Sequence, residues 1–270
     1  MKNGFKIIDA HCHIYPDKIA LKAVNGTNNF YNVPFNLDGT IGTLRKVSDE
    51  AGVDHAIVQS VATTPKQVNS INEFIATTVR EGGGFFTGLG TLHPDSENQR
   101  GDVEHLVELG LRGVKLHPDI QQFKLDDYRC LKIYELCEEF DLPLLLHTGD
   151  NRYDYSNPNR LMPILDIYTN MRVIGAHLGG WSIWEEAVEQ YKGRPNMWFD
   201  CSSTFAWVDN DTVRRLILEL GTDRVLFGTD YPMWRPKTEL ERFFELGLSD
   251  EQNEQILSKN AMKLFGIEKI

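Results

Sequence analysis

Short apolar runs alternate with longer amphipathic stretches along almost the whole chain. Eight runs have the length and the β-branched or aromatic content of buried strands: KIIDAHCHI, HAIVQSVA, FFTGLGTLHP, GVKLHPD, PLLLHTG, RVIGAHLGG, MWFDCSS and RVLFGTDYP. The stretches between them carry helical spacing. TIGTLRKVSDEAG closes on a glycine, as a helix C-cap does, and PKQVNSINEFIATTVREGGG has apolar residues at 68, 71, 74, 75 and 79. NQRGDVEHLVELG, DDYRCLKIYELCEEF and TVRRLILELG repeat the pattern. The glycines of EGGG at 81–84 precede a strand, so they form a turn and not a phosphate cradle.

Alternating β and α units imply parallel strands joined by right-handed crossovers. Eight such units in 270 residues predict an α/β fold, a closed (β/α)8 TIM barrel, which typically takes about 250 residues. An open doubly wound sheet would show fewer strands and a Gly-rich phosphate loop. No linker, low-complexity tract or charge block divides the chain, so residues 1–270 read as one domain. One connection is too long. Residues 15–39, after the first strand, hold two prolines and several aromatics and read as a long loop. Such a loop is either a lid or substrate wall over the barrel mouth, or a packed surface excursion.

Histidines concentrate at one end of this plan. His13, His93, His117, His147 and His177 lie at or near the C-terminal ends of predicted strands. His11 stands two residues before His13, hence on the same strand face. His55 opens a strand and His105 lies in a helix, and both read as surface residues. The C-terminal strand ends of a barrel converge on one mouth, where its chemistry sits. Asp230, in FGTDYP, ends the eighth strand there. Neutral imidazoles with a carboxylate are the donor set of a divalent cation such as Zn²⁺, with a coordination position left for water.

Composition narrows the partners. Hydrophobic residues make up 41% and charged residues 25%, ordinary for a globular protein with a sizeable core. The formal net charge of −11 counts against nucleic acid and against an anionic membrane surface; it says nothing positive about the substrate, which is expected to be a small molecule. Cys12, Cys130, Cys137 and Cys201 form no CxxC, which argues against a disulfide framework or a thiolate zinc site. No signal-peptide core and no run of about 18 apolar residues is present, so the expected compartment is the cytoplasm.

DAHCHIYP, GVKLHPD, LLHTGD, IGAHLGGW, LFGTDYP and NAMKLFGI, spread over residues 9–267, resemble the amidohydrolase superfamily and its amidohydrolase-related branch of metal-dependent barrels. The resemblance implies a metal on His11, His13, His147 and Asp230, with Zn the first expectation and Mn or Fe the alternatives. It implies that His177 is a second-metal ligand or a catalytic base and electrostatic partner. One metal is favoured. A second would need a carboxylated Lys115, which strand parity turns inward with His117, and His177 as a ligand; otherwise Lys115 pairs with an acidic group and orders the site. Cys12 departs from the small residue usual there and reads as packing on the helix side.

The branch holds hydrolases, decarboxylases and hydratases. The first expectation is a metal-dependent hydrolase acting on a carbonyl substrate, an amide or lactone, through a metal-activated water. Asp230 would be the general base, and the metal or His177 would polarise the carbonyl. The alternative is a non-oxidative decarboxylase or hydratase of a small carboxylic acid, in which His177 moves the proton. Candidate substrate-binding residues are His117, Arg152, whose fork suits a carboxylate, and Tyr153. Tyr155, Trp181, Trp184, Trp234 and Arg235 are as readily loop-stabilising residues. Asn157 and Pro158 predict the cap and first position of a helix. Homo-oligomers are common among such barrels, and no feature of the chain fixes a copy number.

Overall fold

A computed structural model describes residues 4–34 and 37–270. Residues 35 and 36, part of the long connection, lie outside the described residues. The strands are β1 (Ile8–His13), β2 (His55–Gln59), β3 (Phe86–Gly88), β4 (Gly90–Thr91), β5 (Val114–Leu116), β6 (Leu144–Leu146), β7 (Val173–Gly175), β8 (Met197–Asp200) and β9 (Val225–Leu226). The helices are α1 (Asp17–Tyr31), α2 (Ile41–Ala51), α3 (Val68–Glu81), α4 (Gln99–Glu108), α5 (Pro118–Gln121), α6 (Tyr128–Glu139), α7 (Pro158–Ile167), α8 (Trp184–Tyr191), α9 (Asn210–Leu220), α10 (Pro236–Phe244), α11 (Asp250–Glu254) and α12 (Asn260–Phe265).

All paired strands are parallel and follow chain order, β1-β2-β3 and then β4 through β9. The ring closes where the backbone after β9 returns to β1. Cys12 bridges Tyr231, and the Ala10 and His13 amides donate to Phe227 O at 2.9 Å and Tyr231 O at 2.6 Å. β3 and β4 are one barrel position broken at Leu89. Leu89 donates to Val58 on one side and Gly90 to Gly113 on the other. Asn72 of α3 covers the break: its Oδ1 accepts from Thr91 N at 2.8 Å and its Nδ2 donates to Thr91 O at 3.2 Å. Those backbone groups would otherwise be buried and unpaired. A Cβ at Gly90 would fall 2.2 Å from Leu106, so only glycine lets α4 pack here.

The interior of the barrel is filled by Ile8, Ala10, Ile57, Leu89, Leu145, Ile174, Ala176 and Leu226. Ala261, Leu264 and Phe265 of α12 join the same cluster, so the closing NAMKLFGI segment packs on the barrel's inner residues, away from the strands' C-terminal ends. A larger apolar shell fills the space between strands and helices. Cys12 sits in that shell, facing away from the two histidines.

Two expectations are corrected. The connection after β1 is not an open loop, because residues 17–31 form α1. Asn25, Gly26, Asn28 and Asn29 are weak helix formers, so propensity hides the element. Burial of Ala20 and Val24 and the anchoring of its last turn, described below, supply what propensity lacks. His55 is not a surface residue. It is buried, with Nε2 2.9 Å from Thr87 Oγ1 and Phe85 against its ring. α7 starts at Pro158 behind Asn157, as the sequence indicated.

Candidate active site

Three local devices aim the β1 histidines into the mouth. Asp9 pairs with Ala56, but Cys12 pairs with Val58, so β1 places one residue more than β2 over the same span. This bulge lets Ala10 face the inner cluster while His11 and His13 face it too. Gly228 leaves room for the first ring, since a Cβ there would lie 3.0 Å from His11 Cβ. Asp9 ties β1 to the end of β9 by accepting from Thr229 N at 2.9 Å and Thr229 Oγ1 at 2.6 Å. Burial raises its carboxyl to about 6.

The protons of the site follow from the partners. His11 Nδ1 lies 2.9 Å from Asp200 Oδ2. Asp200 also accepts from Ser202 N at 3.0 Å and from the Ser202 hydroxyl. Burial alone would raise this carboxyl, but the His11 ring and these donors outweigh it and hold it well below the usual carboxylate range. A carboxylate only accepts, so the His11 proton is on Nδ1 and Nε2 offers its lone pair to the cavity. Lys115 Nζ, 3.3 Å from that nitrogen, donates to it. Burial lowers the lysine to about 8, with Asp230 and Asp200 pulling against it. His177 Nδ1 faces the Ser202 carbonyl at 3.0 Å, which places its proton on Nδ1 and its lone pair on Nε2. Burial, reinforced by cationic neighbours, lowers His13, His117 and His147 well below the ordinary imidazole range. These three rings are therefore neutral, the state a metal ligand needs.

These donors fit a divalent cation. His11 Nε2 and His13 Nε2 are 3.1 Å apart, and Asp230 Oδ1 lies 3.4 and 3.6 Å from them. Ligands about 2.0–2.1 Å from a tetrahedral ion stand roughly 3.3–3.4 Å from one another. His147 is beside this trio and not within it. Its Nδ1 meets His177 Nε2 at 3.1 Å, and its buried Nε2 has no hydrogen-bond partner, 3.8 Å from Asp119 Oδ2. Asp119 is raised to about 7, chiefly by burial, and accepts from Ser156 Oγ at 2.6 Å. The donor atoms of His117, Asp119 and His147 also cluster. The His117 and His147 rings stack 4.0 Å apart at 6°, however, so no cation can lie in both ring planes.

A small cleft opens above these groups. His147, His177 and Asp230 form its polar floor, and Tyr31, Trp181, Trp207 and Trp234 its aromatic wall. Asp230 Oδ2 accepts from Ser203 Oγ at 2.6 Å, which accepts in turn from Trp234 Nε1 at 2.8 Å. His177, Ser203 and Asp230 all hold positive φ (59°, 51° and 60°), a costly conformation for residues with side chains and one that collects at functional sites.

Other candidates are placed differently. Arg152 does not turn its fork to the cavity. Nε and Nη2 donate to Asp150 at 2.9 and 2.6 Å, and Nη1 donates to Phe30 O at 2.7 Å. Tyr153 stacks on Phe30, 5.7 Å between centroids, outside the cavity lining. His117 also stands behind the lining, its Nε2 2.8 Å from Tyr31 Oη. His93 uses Nδ1 to accept from Asp95 N at 3.2 Å. Asp200, Ser202, Ser203, Tyr31 and Trp207 were not singled out from the sequence. Asp200 had one available signal, since it ends β8 as the predicted strand MWFDCSS places it.

Comparison with known proteins agrees with this fold. A 2-amino-3-carboxymuconate-6-semialdehyde decarboxylase of Dictyostelium discoideum is 23% identical over 241 residues, 73% of this chain and 66% of that enzyme's length. An uncharacterised TIM-barrel protein of Bordetella bronchiseptica superposes with a TM-score of 0.80 at 21% identity, covering 97% of this chain and 99% of the other. A dihydroxybenzoic acid decarboxylase of a Polaromonas species, with bound manganese and the inhibitor 2-nitroresorcinol, superposes with a TM-score of 0.73 at 16% identity, covering 98% of both chains. No helix among the described residues is long and apolar enough to cross a membrane. The amidohydrolase family model matches residues 8–267. With its closed parallel barrel and the histidine and aspartate donors at the strand ends, this chain belongs to the amidohydrolase family.

Proposed function

We propose that this chain is a metal-dependent decarboxylase of a small, planar, conjugated carboxylic acid. The observation that carries the reading is the cavity itself, a small slot with aromatic walls over a floor of histidine and carboxylate. Such walls favour a flat conjugated ring. The activities of the Dictyostelium and Polaromonas proteins support the same reaction class. Hydrolysis, the first expectation, is the weaker reading. It needs Asp230 as general base, but one oxygen of that carboxylate would be a ligand to the cation and the other accepts from Ser203 Oγ.

His11, His13 and Asp230 would hold the cation, and imidazole with carboxylate suits manganese, zinc or iron. Bound there, the cation supplies Lewis-acid polarisation of a substrate oxygen. The chain's own groups do the rest. Asp200 keeps the His11 lone pair on Nε2, and Ser202 keeps that of His177 on Nε2. As the bond to the carboxyl carbon breaks, CO2 leaves and the electron pair stays on the ring carbon. His177 Nε2 is the group suited to carry a proton from the substrate's acidic group or from water to that carbon. The test is a panel of hydroxylated aromatic acids, conjugated acids, lactones and amides, assayed for CO2 and for newly formed acid. CO2 from an acid supports the reading, whereas acid formed from a lactone or amide without CO2 overturns it.

A further inference from the structure

We propose that Tyr31, at the end of α1, donates a hydrogen bond to an anionic oxygen of the bound substrate, and that His117 orients it for that task. The proposal rests on the reading of the cavity as a site for small planar acids.

The tautomer of His117 carries the argument. His117 caps α5, and its Nδ1 accepts from Ile120 N at 3.3 Å. A neutral imidazole has one acceptor and one donor nitrogen. With Nδ1 accepting, the proton lies on Nε2, so Nε2–H donates to Tyr31 Oη across 2.8 Å. The Tyr31 hydroxyl thus has its lone pair satisfied and its own proton left to give, and Tyr31 lines the cavity. Burial, with Asp230, Asp119 and Asp150 nearby, keeps the hydroxyl protonated. Its position is set from outside by Arg152, whose guanidinium holds Phe30 O and lies 5.1 Å from the Tyr31 ring centroid and 5.3 Å from that of Trp181. The charged fork expected to bind the substrate therefore works one step back, seating the helix that brings a neutral donor.

The test uses the metal-loaded chain and the quenching of cavity tryptophans by two probes, 2-hydroxybenzoate and its neutral amide. Tyr31→Phe keeps the ring and removes the donor. It is expected to weaken the benzoate about tenfold to a hundredfold, the range for a hydrogen bond to a charged group, and to leave the amide within about twofold. His117→Asn retains a cap acceptor for Ile120 N–H but lacks the ring N–H. It is expected to weaken the benzoate in the parent chain and to add little on top of Tyr31→Phe. Equal loss of both probes in Tyr31→Phe, unchanged benzoate binding, or a parent chain that does not distinguish the probes overturns the proposal. A parent that distinguishes them but releases no CO2 from any acid overturns the decarboxylase reading alone.

Discussion

At the scale of single residues, orientation matters as much as donor identity. His11 can offer Nε2 because Asp200, a carboxylate that only accepts, takes its Nδ1 proton. Asp200→Asn removes that constraint. It is expected to lower affinity for Mn²⁺ or Zn²⁺ about tenfold to a hundredfold, read by competition with a chelating dye. Asp200 ends β8 and Asp230 follows β9, but only Asp230 stands out in the sequence, within the motif LFGTDYP. Asp200 was one carboxylate among 39 acidic residues, and its role depends on a histidine 189 positions away. Glu239 is a different buried carboxyl, with neither oxygen hydrogen-bonded, and burial pushes it up to about 8. The folded state then binds more protons than the unfolded chain between about pH 4.3 and pH 8. Stability from this group therefore falls as pH rises through that window. Glu239→Gln is expected to gain little in Tm at pH 5 and progressively more toward pH 9, as scanning calorimetry at several pH values would show.

At the scale of elements, the alternation of apolar runs and amphipathic stretches was enough to place the strands. What it could not convey were the local departures. The bulge in β1 depends on pairing with β2, and the break at Leu89 depends on Asn72 arriving from α3. α1 was missed because its second half is rich in asparagine and carries a glycine. Tertiary contacts hold it, Arg152 on Phe30 O and Tyr31 on His117. Arg152→Ala is expected to speed amide exchange of residues 17–31 selectively, with the barrel strands unchanged, as measured by hydrogen–deuterium exchange. Equal protection in the variant and the parent would mean that Arg152 does not hold α1.

At the scale of the whole molecule, the barrel separates its tasks by end. The C-terminal strand ends hold the polar site, and α12 packs on the inner residues away from it. Phe265→Ala in that segment is expected to cost about 3–5 kcal/mol in denaturant unfolding, while the folded variant keeps its metal content. The closed ring explains why the first histidines and the last aspartate meet. β1 begins the barrel and the backbone after β9 returns to it, so His11, His13 and Asp230 are neighbours across more than two hundred residues. That convergence was legible from strand order. That the His147 ring turns to His177 and away from the His11, His13 and Asp230 trio was not, because ring rotation is not set by topology. The most direct test is CO2 release from hydroxylated aromatic and conjugated acids by three preparations: metal-stripped chain, the same chain reloaded with manganese or zinc, and reloaded Asp230→Asn. The prediction is CO2 from at least one acid with the reloaded chain, and none above background from the other two. Release undiminished by stripping, or equal in Asp230→Asn, would contradict a cation held by His11, His13 and Asp230 as the centre of the chemistry.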